Sequence, residues 1–343
     1  MADGTLSPVA TPPALVRETA ASGVDLRPLT TSELIDRGFS LYRAHFAGFL
    51  LLALLCQSAP LLGDILVTTF KLRPTPRELL EIPPSLFSKM GVVLALFFAG
   101  QLVGFCFKVI LTFFIADAYL GKIPSVKESL RKFKSRLIPS IWTCVLNRIV
   151  IGLICLLPIT VFVGAYFYAL FHPAMPPFAL VLFCGVAGVL LVVSIAPVLI
   201  GFMRLLMLTV PALALEGYSG WKAIGRSSDL VRYDPGLGIF YWGEMRLSFL
   251  LLPLFIIQLL ILSLTSLPLT IHQAGEFLSH GSNGELAPPP DSIMILCQIL
   301  TFLAGSLILP LYAIATTLFY YDIRIRREGF DIEFMAKQLG GGK

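Results

Sequence analysis

Six stretches of the chain carry almost no charge: Phe46 to Phe70, Met90 to Ala116, Ile138 to Phe171, Pro177 to Leu215, Leu247 to Ile271 and Ile293 to Tyr321. Leu, Phe, Ile and Val dominate them. About 20 apolar residues span a bilayer as an α-helix, so the pattern predicts about six transmembrane helices. Alternation of period two is absent, which argues against a transmembrane barrel. Gly and Pro recur inside the stretches, as membrane helices tolerate. The stretch from Pro177 to Leu215 is long for one helix and short for two. Pro197 and Gly201 mark a possible break, so it is one helix or a broken one.

Polar segments alternate with these stretches, and three of them resemble one another. They read TTSELIDRGFSLYRAHF from Thr30, SVKESLRKFKSRLIPSI from Ser125 and SGWKAIGRSSDLVRYDP from Ser219. Thr30 with Glu33, and Ser125 with Glu128, fit a capping box, in which hydroxyl and carboxylate satisfy the first free backbone N–H groups. The third copy has Lys222 in place of the acid. Apolar residues recur at helical spacing: Ile35, Phe39, Tyr42 and Phe46, then Val126, Leu130, Phe133 and Leu137, and more loosely Trp221, Ile224 and Val231. Each stripe has cations beside it, so each segment is expected to lie in the headgroup layer as an amphipathic helix. Each leads into two spans, and each second span ends at an acid: Asp117, Glu216 and Asp322. The predicted fold class is therefore all-α and polytopic, with three two-span repeats of about 30–117, 118–216 and 217–322. Residues 1–29 and 336–343 read as flexible tails around a helical membrane domain at 30–335.

Composition agrees with this pattern. The chain has 343 residues, 56% hydrophobic and 14% charged, against about 25% charged in soluble domains. Its mean hydropathy of +0.84 leaves too little polar cover for one soluble core. Charge distribution sets the expected orientation. Nineteen Lys and Arg fall in the N-terminal region, the two segments that follow spans two and four, and the C-terminus. Four fall on the other side, all between Lys71 and Lys89. The positive-inside bias predicts a multi-pass membrane protein with both termini in the cytoplasm. The N-terminus lacks a cationic start followed by an apolar stretch, so no secretory signal is read there.

Lys108, Arg148 and Arg204 interrupt the apolar stretches. A charge in mid-membrane is costly and marks function by default. At a rise of about 1.5 Å per residue, they fall about 27–40 Å from the outer helix ends, near the inner headgroup layer. They are expected to form a ring of cations there, paired with Asp117, Glu216 and Asp322 or with anionic lipid. Arg37, Arg43, Lys132, Arg136, Arg226 and Arg232 on the polar helices are the further candidates for phosphate contact.

Catalytic signatures are missing. The four histidines have no zinc spacing, and no nucleophile elbow, Walker loop or dinucleotide fingerprint occurs. The six cysteines all sit in apolar stretches with no paired metal spacing, which reads as packing rather than disulfides or metal. No metal or cofactor is expected, and lipid is a nearer anion than nucleic acid.

LRPLTTSELIDRGFSLYRAHF (Leu26 to Phe46), VPALALEG (Val210 to Gly217) and YYDIRIRREGFDIEFM (Tyr320 to Met335) resemble the membrane domain associated with bacterial glycerophosphoryl diester phosphodiesterases. In two-part members the phosphodiesterase is a separate soluble barrel, and no catalytic residue carries over to this chain. The resemblance implies a stand-alone helical membrane protein. The expected function is non-enzymatic: engaging lipid, or organising a membrane complex. The alternative is a transporter or channel with a path between the three repeats.

Overall fold

The computed structural model describes residues 27–73, 83–171, 200–232, 242–280 and 289–330, with the isolated positions 188, 189, 198 and 332. The regular elements among them are all helical: α1 (Thr31–Ala44), α2 (Phe46–Thr69), α3 (Pro84–Tyr119), α4 (Val126–Lys134), α5 (Leu137–Phe171), α6 (Ile200–Glu216), α7 (Trp221–Val231), α8 (Gly243–Thr265), α9 (Leu267–His280) and α10 (Asp291–Glu328). Five helices (α2, α3, α5, α8 and α10) are long and apolar enough to cross a membrane. A sixth span results if α6 and α7, bent by 114° at their junction, count as one. The chain is thus an all-helical protein with several helices fit to span a bilayer. Residues 1–26 of the tail expected at 1–29, most of the stretch 177–199 and the C-terminal tail at 336–343 lie outside the described residues.

Local chemistry explains the element ends. At α1 the Thr30 hydroxyl accepts from Glu33 N–H, and the Glu33 carboxylate accepts from Thr30 N–H at 2.7 Å, a complete capping box. The expected second box does not form. The Ser125 side chain makes no cap bond at α4, although Val126 does open the helix. The sharp bend between α6 and α7 uses Gly217 and Gly220, both at positive φ (80° and 58°), a conformation most side chains resist. Residues 272–280, expected as part of an outer loop, continue as α9 after a turn at Ser266.

Burial is uneven along the helices. The main core joins Phe105–Tyr119 of α3, Leu208–Ala214 of α6, Leu247–Leu254 of α8 and Ile314–Ile323 of α10 with Leu34 of α1 and Leu230 of α7. It lies at the end where the polar helices α1, α4 and α7 gather. Towards the far end the helices keep large apolar side chains outside, among them Leu62, Phe87, Leu94, Leu153, Leu260 and Leu264. Such a continuous apolar exterior suits hydrocarbon rather than water. Tight α2–α3 packing depends on small residues: a Cβ at Gly100 would lie 3.1 Å from Pro60 Cα, and one at Gly104 3.3 Å from Cys56 O. Close approach through small residues is the usual route to helix association in lipid.

Candidate functional site

The three acids that end α3, α6 and α10 organise the polar-helix end. Lys132 of α4 donates to both Asp117 oxygens, at 2.8 and 2.6 Å. Arg226 of α7 grips Glu216 with two bonds, at 2.8 and 2.9 Å. Tyr320 also donates to Glu216, and Arg324 lies 3.2 Å from it. Asp322 is almost fully buried. It accepts the Leu29 N–H at 2.8 Å and meets Arg246 and Arg326, each at 2.9 Å. Both arginines also donate to the Leu29 carbonyl, at 3.1 and 2.6 Å. The entry to α1 is therefore clamped by residues near the other end of the chain. Leu29 is buried, so the last residue of the expected tail belongs to the folded body.

These contacts reassign the expected cation ring. Asp117, Glu216 and Asp322 pair with Lys132, Arg226, Arg246 and Arg326, not with Lys108, Arg148 or Arg204. Asp117 stands about 13 Å further along α3 than Lys108, too far for a contact. Arg204 instead pairs with Glu244 of α8. Among the polar-helix candidates, Arg37 lies over the Tyr119 ring, 4.9 Å from its centre. The Arg136 guanidinium covers Gly217, where a Cβ would come within 2.4 Å of it. Arg43 and Arg232 are exposed. The six surface cations therefore do not act alike: two neutralise acids, two cover backbone or ring, and two face outward.

Lys108 and Arg148 behave differently. They line one cavity of about 380 Å³ together with Thr112, Asn147, Tyr312 and Thr316. Helices α3, α6 and α10 meet here, and α5 supplies Asn147 and Arg148. Each cation lies about 16 Å from the polar-helix end of its own helix, so the two charges share one depth. Among the described residues no carboxylate lines the cavity. Among the described residues neither cation forms an ion pair. Arg148 Nε and Asn147 Oδ1 are buried and lack a hydrogen-bond partner. Ile151, Phe202, Leu206 and Leu309 make the remaining wall apolar. Both residues are half-buried, and buried polar atoms such as Arg148 Nε and Asn147 Oδ1 are rarely left unbonded.

The sequence singled out Lys108 and Arg148 as charges within apolar stretches, expected near the inner headgroup layer; the structure sets both against one cavity. Helix depth alone does not reveal which way a side chain faces. Arg246, Glu244 and Tyr320 were missed as partners. Arg246 had a readable signal, since it precedes Leu250 and Leu254 at helical spacing and shares their buried face.

Among the described residues no group of three metal-ligating side chains occurs, and the five described cysteines are free. No family model, curated protein or solved structure matches the chain.

Proposed function

We propose that this chain is a non-enzymatic integral membrane protein of the bacterial cytoplasmic membrane that holds an anionic phosphate headgroup inside its helix bundle. The observation that carries the reading is the Lys108–Arg148 cavity, with two cations, no facing acid and a buried unbonded guanidinium N–H. A phosphate ester offers acceptors to Lys108 and to Arg148 Nε, as charge-assisted bonds require. Asn147 Oδ1 is an acceptor and asks for a donor, so the ligand also carries a hydroxyl. The apolar wall suits an acyl chain leaving beside the headgroup. On this reading the exposed Arg43 and Arg232 serve membrane apposition, while Lys132 and Arg226 hold the fold. The termini and polar helices face the cytoplasm, following the positive charge.

The three acid contacts also support a triplicated architecture. Asp117 holds Lys132 in the last turn of α4, Glu216 holds Arg226 within α7, and Asp322 closes back onto the entry to α1. Under this reading Asp117→Asn, Glu216→Gln and Asp322→Asn each lower thermal stability. If one of the three changes nothing, the equivalence fails. The resemblance to the phosphodiesterase-associated membrane domain adds a membrane setting to this proposal and no reaction.

Lipid retention tests the headgroup site. The protein is purified in detergent with equal phosphatidylglycerol and phosphatidylcholine, and bound lipid is counted by native mass spectrometry. Phosphatidylglycerol is expected to be retained preferentially. Lys108→Gln with Arg148→Gln abolishes the preference, and Arg43→Gln with Arg232→Gln leaves it intact. Equal retention in all three proteins overturns the reading.

A further inference from the structure

A second cavity, of about 400 Å³, lies between α2, α9 and α10 at the far end from the polar helices. Gln57, Asp64, Arg73, Gln298 and Thr301 give it a polar lining unusual for this chain. Gln298 donates to Thr68 Oγ1 at 2.8 Å, while its own Oε1 is buried without a partner. Arg73 beside Asp64 keeps this end close to neutral, in contrast to the cationic inner cavity.

The two cavities share one face of α10. At about 100° per residue, Thr301, Gly305, Leu309, Tyr312 and Thr316 all fall within about 60° of Gln298 around the helix. Gln298 and Thr301 line the outer cavity; Leu309, Tyr312 and Thr316 line the inner one. The opposite face, with Leu303 and Leu307, is exposed and apolar. Between the cavities stands Gly305, buried, with the Gln57 amide against it: a Cβ there would lie 3.1 Å from Gln57 Nε2. A glycine removes side-chain bulk at the one level where the stripe passes between the two spaces. The Gln57 side chain from α2 comes nearest to where a Gly305 Cβ would stand.

We propose that these cavities are the two ends of one route for a small hydrophilic anion along α10, and that Gln57 against Gly305 is its gate. The route rests on reading the inner cavity as an anion site. The Gln57 amide donor replaces hydration at the outer end, where the Gln298 amide nitrogen already donates to Asp64 O and Thr68 Oγ1. Lys108 and Arg148 then draw negative charge inward, since a low-dielectric cleft of one sign concentrates the opposite ion. Rotation of the Gln57 side chain opens or closes the passage without a helix moving.

Thiol labelling in proteoliposomes tests this. All native cysteines except Cys297, which lines the outer cavity, are replaced by Ala, and Leu309→Cys places a thiol in the inner one. The reagents are an anionic sulfonatoethyl and a cationic trimethylammonioethyl methanethiosulfonate. Applied from the side on which Cys297 reacts, the anionic reagent modifies Leu309→Cys slowly. Gln57→Ala raises that rate about tenfold or more, the low end of electrostatic focusing, while the cationic reagent lags. Gly305→Leu blocks the reaction. Leu307→Cys on the opposite face stays unmodified throughout. If Gln57→Ala fails to insert, Gln57→Ser carries the same expectation, with Cys297 labelling as the folding control. An unchanged Leu309→Cys rate with Cys297 reactive overturns the gate, as does equal labelling of Leu307→Cys. Loss of charge preference in Lys108→Gln with Arg148→Gln, with Gln57 dependence retained, supports both halves. Failure of lipid retention alongside intact Gln57-dependent labelling removes the headgroup reading and leaves the route.

Discussion

Replacing Asp322 by Ala strips three partners at once. The Leu29 N–H loses its acceptor at 2.8 Å, and Arg246 and Arg326 lose a carboxylate at 2.9 Å. Asp322 is 1% exposed and the Arg246 side chain 10%, so water offsets little of the loss. Breaking a buried pair by removing one partner costs about 3–5 kcal/mol, and the stranded Leu29 N–H is part of that sum rather than an addition. Arg246→Met costs less, about 1–2 kcal/mol, because Asp322 keeps Arg326 and Leu29. In the double variant no buried guanidinium is left uncompensated. Its loss therefore falls short of the sum of the singles by about 1–2 kcal/mol, a coupling of ordinary size for contacting groups. Reversible unfolding in mixed micelles with sodium dodecyl sulfate measures all four proteins. Hydrogen exchange adds a local readout, since the first turn of α1 exchanges faster once its clamp is gone. Additive losses, or an Asp322→Ala cost within about 0.5 kcal/mol of wild type as surface changes give, would refute the clamp.

Gly243→Ala places a Cβ 2.4 Å from the Val231 carbonyl oxygen; backbone cannot step aside, so stability drops by about 1–3 kcal/mol. Gly152→Ala, with open space around it, is the control and leaves the unfolding curve unchanged or slightly improved. Thr143→Val removes the hydroxyl that accepts Gly220 N–H at 2.8 Å; a buried donor left bare costs about 1–3 kcal/mol in the same assay. Thr30 N–H, Arg27 and the Thr30 hydroxyl hold the Glu33 carboxyl down from its ordinary value of 4.5 to about 2. Its folded value is depressed, so its stabilising effect is complete above about pH 4.5 and fades as pH falls towards 2. The thermal-stability gap between wild type and Glu33→Gln is expected to be present at pH 7 and to close across that window; a gap that widens on acidification contradicts the cap.

Sequence periodicity located the helices well where one chain segment decides its own structure. Uncharged runs of bilayer length became α2, α3, α5, α8 and α10, and the Thr30–Glu33 signature became a working cap. It failed where a competing partner decides. Ser125 has the right neighbour in Glu128, yet Glu128 lies 3.6 Å from Lys132 and 3.9 Å from Arg131 instead, and the Ser125 side chain makes no cap bond. Residues 272–280 of α9 were read as loop because His272, Gly275 and Glu276 are polar or weak helix formers, and polarity alone does not forbid a helix at a membrane surface. The candidate site was half legible. Lys108 and Arg148 stand out as charges in apolar runs. That they face each other across a cavity lined by α3, α5, α6 and α10 depends on packing between segments far apart in the chain. Asn147 is ordinary in sequence and informative only once its oxygen is seen buried and unbonded.

On the proposed reading, Lys108 and Arg148 jointly hold a phosphate inside the bundle. A cryo-electron microscopy map of the protein in nanodiscs of phosphatidylglycerol tests it most directly. The account predicts headgroup density within hydrogen-bond reach of Lys108 Nζ and Arg148 Nε, lost in the Lys108→Gln, Arg148→Gln protein. A cavity closed by side chains, or ordered headgroups found only beside Arg43 and Arg232, would contradict it.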